Sequence, residues 1–595
     1  MEQYFKRQKI WILAVAIIFS WLAAGTAKAW LVGETVVFNL DQNFDAAGRS
    51  EATATLQFVG DRAIYYVDKN WWQSLSLVDL AARKEEISKL LVEFDQIIYP
   101  RLTKAYGAEW SPGIDNELRL NILLTPLKKT AGGFFNTADE FYKKQIPRSN
   151  EREMIYLNTE YLNTPSAKVF LAHEFTHLIN FYQKEKLRNS VEEIWLNEAR
   201  AEYSATLCGY DSEYIGSNLE RRVNDFKRNP TDSLTEWTNQ TADYGVANIF
   251  MQYLAGRYGE GFLSRTMKTE LVGIASVNQA LTEAGSIERF NDIFINWLVA
   301  TWVNDCQFGE GQKYCYLSSA LINTNFQVAP QMRNWLAAGE GTEFSFSDNL
   351  KDWSGRWYEI LPLGSGYNLL ISFKGDSAGS FQAPILITKK DDTQALRFLK
   401  LDNAQSGSDL IFNFGSEVRS VVLMATSRVK QAGFYGSELA YNFSYTARLT
   451  SASALAASEA KVSSLPAETP PPSATVKPDW ASGTLVRVRH DNKVYVINGQ
   501  YRRWLQSPEI FNAYPHFNWQ NILEVSQIEL DFYPEVFLVR AVDDHRVYEI
   551  NGDGTKHWLN MSAEQFSNSG RKWERVSVIN QTERDWYRTG AEVRI

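Results

Sequence analysis

His173-Glu174-Phe175-Thr176-His177, followed about twenty residues later by Trp195-Leu196-Asn197-Glu198-Ala199-Arg200-Ala201-Glu202-Tyr203, is the stretch from which the fold is read. Residues four apart on a helix lie one above the other, so imidazoles at 173 and 177 share a face and can grip one metal ion. Glu174 then stands beside the ion rather than on it. From there it can take a proton from the attacking water and later pass it to a leaving amine. The pattern predicts a helix with one catalytic zinc ion (Zn2+) and the chemistry of peptide-bond hydrolysis.

The chain has six histidines, and the other four (His490, His516, His545 and His557) fall in a C-terminal region of different texture. A catalytic zinc takes three protein ligands and leaves a fourth position open, so the third ligand is expected to be a carboxylate from another helix. Glu198 is the best placed. Glu202, one turn further on, shares its face and can accept a hydrogen bond from the far nitrogen of a liganding histidine. The bland alternative is a chance pentapeptide on an ordinary amphipathic helix. Against it, Val169, Phe170, Leu171, Leu178 and Ile179 bury this helix on more than one side, where His and Glu need a partner.

Beyond these residues the sequence resembles the thermolysin-like clan, in which two histidines and a downstream glutamate hold zinc, and within it the hyicolysin-type bacterial metallopeptidases. Ser149 to Leu157, Ala172 to Phe181, Trp195 to Glu198 and Asp243-Tyr244-Gly245 carry the resemblance, which covers roughly residues 90 to 260. It implies a zincin catalytic domain, with His173, His177 and Glu198 as ligands and Glu174 as general base. Ala199-Arg200 departs from the glycine and apolar residue expected after the ligand glutamate. With no further histidine nearby, the oxyanion donor is a tyrosine, an arginine or the metal alone. Tyr244 is the choice, because the stretch it opens, to Gly256, resembles the family's segment after the ligand helix; its other reading is packing at a helix start. Tyr203, Tyr210 and Arg200 stand in reserve. The Gly-x-Met-Glu-Asn pattern that would grip a free amine is absent, which favours an endopeptidase over an aminopeptidase.

At 595 residues the chain has room for several domains, and 45% hydrophobic with 13% aromatic residues is enough for ordinary cores. A net charge of −9 argues against nucleic acid as a partner. Lys6, Arg7 and Lys9 precede an apolar run from Ile10 to Gly25 and then Ala27-Lys28-Ala29, the layout of a cleavable export signal. The expected location is therefore secreted, extracellular or periplasmic, after cleavage near Ala29. Three cysteines are too few for a disulfide framework, but Cys306 and Cys315 can close a small loop, and Cys208 reads as a buried thiol.

Along the chain the expected organisation is a signal peptide (1–29), an α+β zincin-like domain (30–335), an all-β sandwich (336–450), a Ser/Ala/Pro-rich linker (451–480) and two small β-rich repeats (481–536 and 537–595). In the second of these, strands are expected over Thr53–Val59, Ala63–Val67, Leu118–Leu124, Gly132–Phe135 and Met154–Leu157, with a long amphipathic helix over Leu77–Tyr106. One strand above the zinc helix should be an edge against which a peptide substrate lies. Short alternating runs from Trp357 to Ala447 give the sandwich. The repeats rest on Leu485-Val486-Arg487 through Asn498-Gly499, answered by Leu538-Val539-Arg540 through Asn551-Gly552, with Trp504, Trp519 and Tyr533 answered by Trp558, Trp573 and Tyr587. These aromatics are more often core than sugar platforms, although a cell-surface or carbohydrate contact through the C-terminal domains is possible. The leading expectation is an exported zinc endopeptidase acting on protein or peptide. The rival is a cell-surface binding protein whose peptidase-like domain is inactive.

Overall fold

A computed structural model describes residues 32–451 except 325, and 478–593 except 489–492, 526–528, 531, 543, 552–553 and 570. The expected signal peptide and most of the linker lie outside the described residues. The rest forms two compact units of mixed α+β architecture, the larger ending at Ser451.

The larger unit opens with six strands: β1 (Thr35–Asn39), β2 (Glu51–Val59), β3 (Ala63–Asp68), β4 (Leu120–Thr125), β5 (Gly133–Phe135) and β6 (Met154–Asn158), ordered β1-β2-β3-β4-β6-β5. β3, β4 and β6 are parallel and buried on both faces, so the alternation that marks Leu118–Leu124 as a strand does not mark a solvent-facing side. Tyr65, Ile122 and Ile155 on one face share a core with Phe94 and Phe175 of the helices, while Tyr66, Leu123 and Tyr156 on the other pack with Phe38, Leu56 and Phe134. β5 closes the sheet, antiparallel to β6, and its outer side is an edge.

The helix expected over Leu77–Tyr106 is a helical run in three parts: an α-helix (Leu77–Glu93), a π-helical turn (Phe94–Ile98) and a second α-helix (Tyr99–Tyr106). Pro100 supplies the reason, since it brings no N–H and its ring crowds the carbonyl of Gln96. The Tyr99 N–H accordingly donates to Phe94 O, five residues back.

After residue 330 the predicted runs are strands, within Arg356–Pro362, Tyr367–Gly375, Pro384–Lys389, Val418–Ser427 and Ala440–Thr450. Tyr367–Gly375 and Glu343–Lys351 flank Ala440–Thr450 antiparallel, and Arg356–Pro362 and Pro384–Lys389 flank Val418–Ser427 in the same way. The two groups share a core of Leu369, Ile371, Phe443, Ile385, Val421 and Leu423. On the second group the alternate residues Trp357, Leu386, Val422 and Met424 turn outward into the core of the helices. The Trp357 indole N–H donates to Leu298 O at 3.3 Å. Polar contacts follow the same seam: Glu236 pairs with Lys351 and accepts the Glu438 N–H (2.6 Å), and Glu193 accepts the Gly433 N–H (2.7 Å). The change of texture near residue 335 is thus a change of secondary structure inside one packed body. Cys306 and Cys315 are disulfide-bonded, and Cys208 is a buried thiol.

In the smaller unit Leu485–Val488 pairs antiparallel with Val494–Asn498 and parallel with Leu523–Val525. Leu538–Ala541 does the same with Val547–Ile550 and Val576–Ile579. Residues from both halves fill one core, and Glu583, fully buried, takes Arg503, Tyr514 and Tyr587. Tyr533 and Tyr587 are core residues, whereas Trp519 and Trp573 are 47% and 50% exposed, each lying on a phenylalanine ring, Phe511 and Phe566.

Candidate active site

Two packed helices carry the site. Ser166–Asn180 holds His173, Glu174 and His177, and Ile194–Leu207 holds Asn197, Glu198 and Glu202. The first is buried over most of its circumference, and His173 and His177 keep only partial exposure. The second is braced at its start by Glu193, which accepts from the Trp195 indole (2.8 Å) as well as from Gly433.

His173 Nε2, His177 Nε2 and Glu198 Oε2 form a triangle with sides of 3.1, 3.3 and 3.6 Å. Bonds of about 2.0–2.1 Å to a tetrahedral ion place ligand atoms roughly 3.3–3.4 Å apart, so the triangle has the right size. The other ring nitrogens face acceptors: His177 Nδ1 lies 3.2 Å from Asn197 Oδ1 and His173 Nδ1 lies 3.5 Å from Glu202 Oε1. That arrangement turns both Nε2 atoms toward the centre. Glu198 Oε2 is buried without a hydrogen-bond donor. An orphaned carboxylate oxygen aimed at two imidazole nitrogens is costly unless a cation completes the set. Among the described residues this is the one cluster of three such groups whose ligand atoms converge closely enough for a metal.

Electrostatics point the same way. Burial opposes a charge on His173, but the Glu198 contact and the charges of Glu174 and Glu202 push it up to about 9. Burial dominates at His177 and lowers it. Burial would raise Glu198 too, but His177 and His173 outweigh it and hold the carboxyl low. Glu174 is lifted to about 7, chiefly by burial, with Glu198 adding to the shift and His173 opposing it. A carboxylate so raised can accept a proton near neutral pH and give it up again. Its place is set by β5: a Cβ on Gly133 would come within 3.0 Å of Glu174 Cγ, and the Phe135 N–H faces its carboxylate.

Glu202 is held by Arg222 through two hydrogen bonds, 2.7 Å from Nε and 2.6 Å from Nη2, and by Asn218 at 3.2 Å. Against the cost of burial, Arg222 brings its carboxyl down to about 2. Tyr244, in the first turn of helix Thr241–Met267, lies beside this group with the Arg222 guanidinium 4.7 Å above its ring. Burial first, then Glu198 and Glu202, raise its phenol. Its hydroxyl donates to Asn239 Oδ1 at 3.0 Å.

The three reserve donors are directed elsewhere. Arg200 is fully buried on the opposite side of its helix, bonded to Glu192 (2.5 Å) and Asn180 (3.1 Å), so the departure at Ala199-Arg200 serves the core and not the cleft. Tyr210 donates to Glu93 and Tyr203 packs against the apolar core. Two contributors went unread in the sequence, Asn197 and Arg222. Asn197 is legible in hindsight as the residue one turn-step before the ligand; Arg222, on helix Asn218–Arg228, has no local mark that pairs it with Glu202.

No protein-family model matches this chain, and no curated protein matches it. Among solved structures, the pre-peptidase C-terminal domain of a Bacillus anthracis collagenase is similar over 20% of this chain and 98% of its own, at 11% identity and a TM-score of 0.14. PliG, a periplasmic inhibitor of g-type lysozyme from Aeromonas hydrophila, matches over 20% of this chain and 98% of its own at 7% identity and 0.14. Tripeptidyl peptidase 2 matches over 21% of this chain and 11% of its own at 11% identity and 0.15. Scores this low bear on neither fold nor function.

Proposed function

We propose that the protein is an exported zinc endopeptidase of the hyicolysin type, with a zincin-like domain built on the sheet β1–β6 and its helices, and two copies of one β-rich unit at the C-terminus. The observation that carries the reading is the triangle of His173, His177 and Glu198 with Glu174 beside it under an edge strand. Two imidazoles and a carboxylate suit zinc better than calcium or magnesium, which take oxygen. When bound there, zinc supplies Lewis-acid activation of the attacking water and of the scissile carbonyl.

The residues of the chain do the rest. A peptide laid antiparallel on the outer edge of β5 gains backbone hydrogen bonds and brings its carbonyl over Glu174. Glu174 accepts one proton from the water as its oxygen attacks the carbonyl carbon, and delivers that proton to the amide nitrogen as the C–N bond breaks; the water's second proton then passes from the new carboxyl group to the amine, leaving a carboxylate and an ammonium group. Tyr244, released from Asn239, is the donor for the carbonyl oxygen as it gains charge. Glu202, fixed by Arg222, keeps His173 in the tautomer that presents Nε2. The disulfide Cys306–Cys315 accords with an oxidising, extracytoplasmic destination. The half-exposed Trp519 and Trp573 favour a contact role for the C-terminal unit, in addition to catalysis.

Purified protein should contain one zinc per chain and cleave casein, with the activity lost to a chelator and restored by zinc. Glu174→Gln should keep the metal and lose the cleavage. Equal cleavage by the variant and the parent would end the enzyme reading.

A further inference from the structure

A cavity of about 560 Å³ opens beside the site, between the start of helix Ser166–Asn180 and helix Asn218–Arg228. Phe170, one turn before His173, forms its inner wall. That ring is pressed against Gly132, where a Cβ would lie 2.3 Å from it, so the cavity sits at the end of the cleft where β5 begins. A peptide antiparallel to β5 runs its C-terminal half toward that end. The cavity therefore receives the residue on the amine side of the cleaved bond.

Its charged equipment is unequal. Arg221 lines the cavity, with its guanidinium 6.0 Å from the Phe170 ring centre and one hydrogen bond, to Asn218 Oδ1 at 2.5 Å. Asn218 in turn bonds to Glu202, so the guanidinium is tied to the metal-side network by one side chain. The acids around Arg221 are engaged elsewhere: Glu202 by Arg222, Asp225 by Arg222 and Arg228, and Glu220 by the Gly216 N–H. Among the described residues Arg221 makes no ion pair, and neither does Lys168, which also lines the cavity with its ammonium over the Tyr210 ring. Glu213 is the remaining acid, and its side chain is solvent-exposed, as that of Arg221 is. A guanidinium with most of its donors free, in a cavity beside a cleavage site, is built to take a carboxylate.

We propose that Arg221 makes this cavity a carboxylate-selecting subsite, so that the enzyme prefers a substrate with a carboxylate just beyond the scissile bond. This rests on the peptidase reading above. The carboxylate comes from an aspartate or glutamate side chain or from a free C-terminus, and the test separates the two. Matched peptides with Glu, Gln, Leu or Lys after the cleaved bond, each C-terminally amidated, are compared with a Leu peptide ending there as a free acid.

The expected result is a kcat/KM roughly 10-fold higher for Glu than for Gln, carried mainly by KM. Arg221→Ala should erase that ratio, and Arg221→Glu should turn the preference toward Lys. If the free-acid peptide alone gains, the C-terminal carboxylate is the ligand. Parent protein that treats Glu, Gln and the free acid alike overturns the subsite. If nothing is hydrolysed at all, the peptidase reading falls, and the subsite is judged separately by calorimetry on Glu174→Gln: equal affinity for the Glu and Gln peptides would overturn it as well.

Discussion

Helix Ile194–Leu207 has two buried, charged faces, and they differ in one respect. On the back, Glu192 accepts from Arg200, lies 3.2 Å from Lys184 Nζ and takes the Gly273 N–H at 2.7 Å, while Lys184 spends its other hydrogens on the Thr269 and Leu271 carbonyls. Apart from Arg200 Nε, that network is closed. On the front, Glu198 turns an oxygen that accepts no hydrogen bond toward the Nε2 atoms of two imidazoles. Burial alone marks neither face as functional. What separates a structural ion cluster from a metal centre is whether the protein supplies the last partner.

The comparison can be broken at either face. The largest effect is expected from Glu174→Gln, which should lower peptide hydrolysis by roughly 10² to 10⁴-fold while metal stoichiometry, read by mass spectrometry, stays at the parent value. Next comes Arg200→Met on the back, which leaves Glu192 short of a partner in a fully buried site. Its cost should be about 3 kcal/mol in denaturant unfolding, toward the low end for a broken buried pair because Lys184 remains. Metal bound per folded chain should not change, and a loss of metal at unchanged stability would mean the two faces are not independent.

Glu202→Gln should weaken zinc binding by roughly 10 to 100-fold in competition with a chelator, since it removes the partner that orients His173. Unaltered affinity would assign Glu202 to Arg222 alone. The smallest effect concerns pH in the chelated protein. Glu202 titrates at about 2 in the fold against roughly 4.3 in an unfolded chain, so its contribution is present in full above the unfolded value and is lost as pH falls toward the folded one. The stability gap between parent and Glu202→Gln should narrow between pH 5 and about 2; a gap constant over that window would contradict the assigned pairing.

Much of this was legible beforehand, for stated reasons. The 173 and 177 pair shares a helical face by geometry, and the shortage of histidines left a carboxylate as the third ligand; both residues and Glu198 meet at one point. Alternation located the strands of the sheet and of the sandwich to within a few residues. Other features had no local trace. Pro100 was visible, but not that the helical run would pass it by a π turn. Arg200 stands in reserve as an oxyanion donor in the sequence, yet it lies two residues past Glu198, which on a helix is about 200° of rotation, and it faces the core. The short runs within Pro384–Lys389 and Val418–Ser427 mark sandwich strands, and nothing local in them shows that their second face packs on the helices.

The sequence by itself determined the helical spacing of His173 and His177, the place of Glu174 between them and the positions of most strands, because these depend on periodicities of two and 3.6 residues along a single segment. Only the tertiary structure decided that β5 is the edge above Glu174, that Arg222 holds Glu202, that Arg200 is spent on Glu192, and that Arg221 lines the cavity with no ion pair among the described residues. Each of those facts is a pairing between residues far apart or on separate helices. A side chain's partner is set by which elements pack together, and no local pattern encodes that.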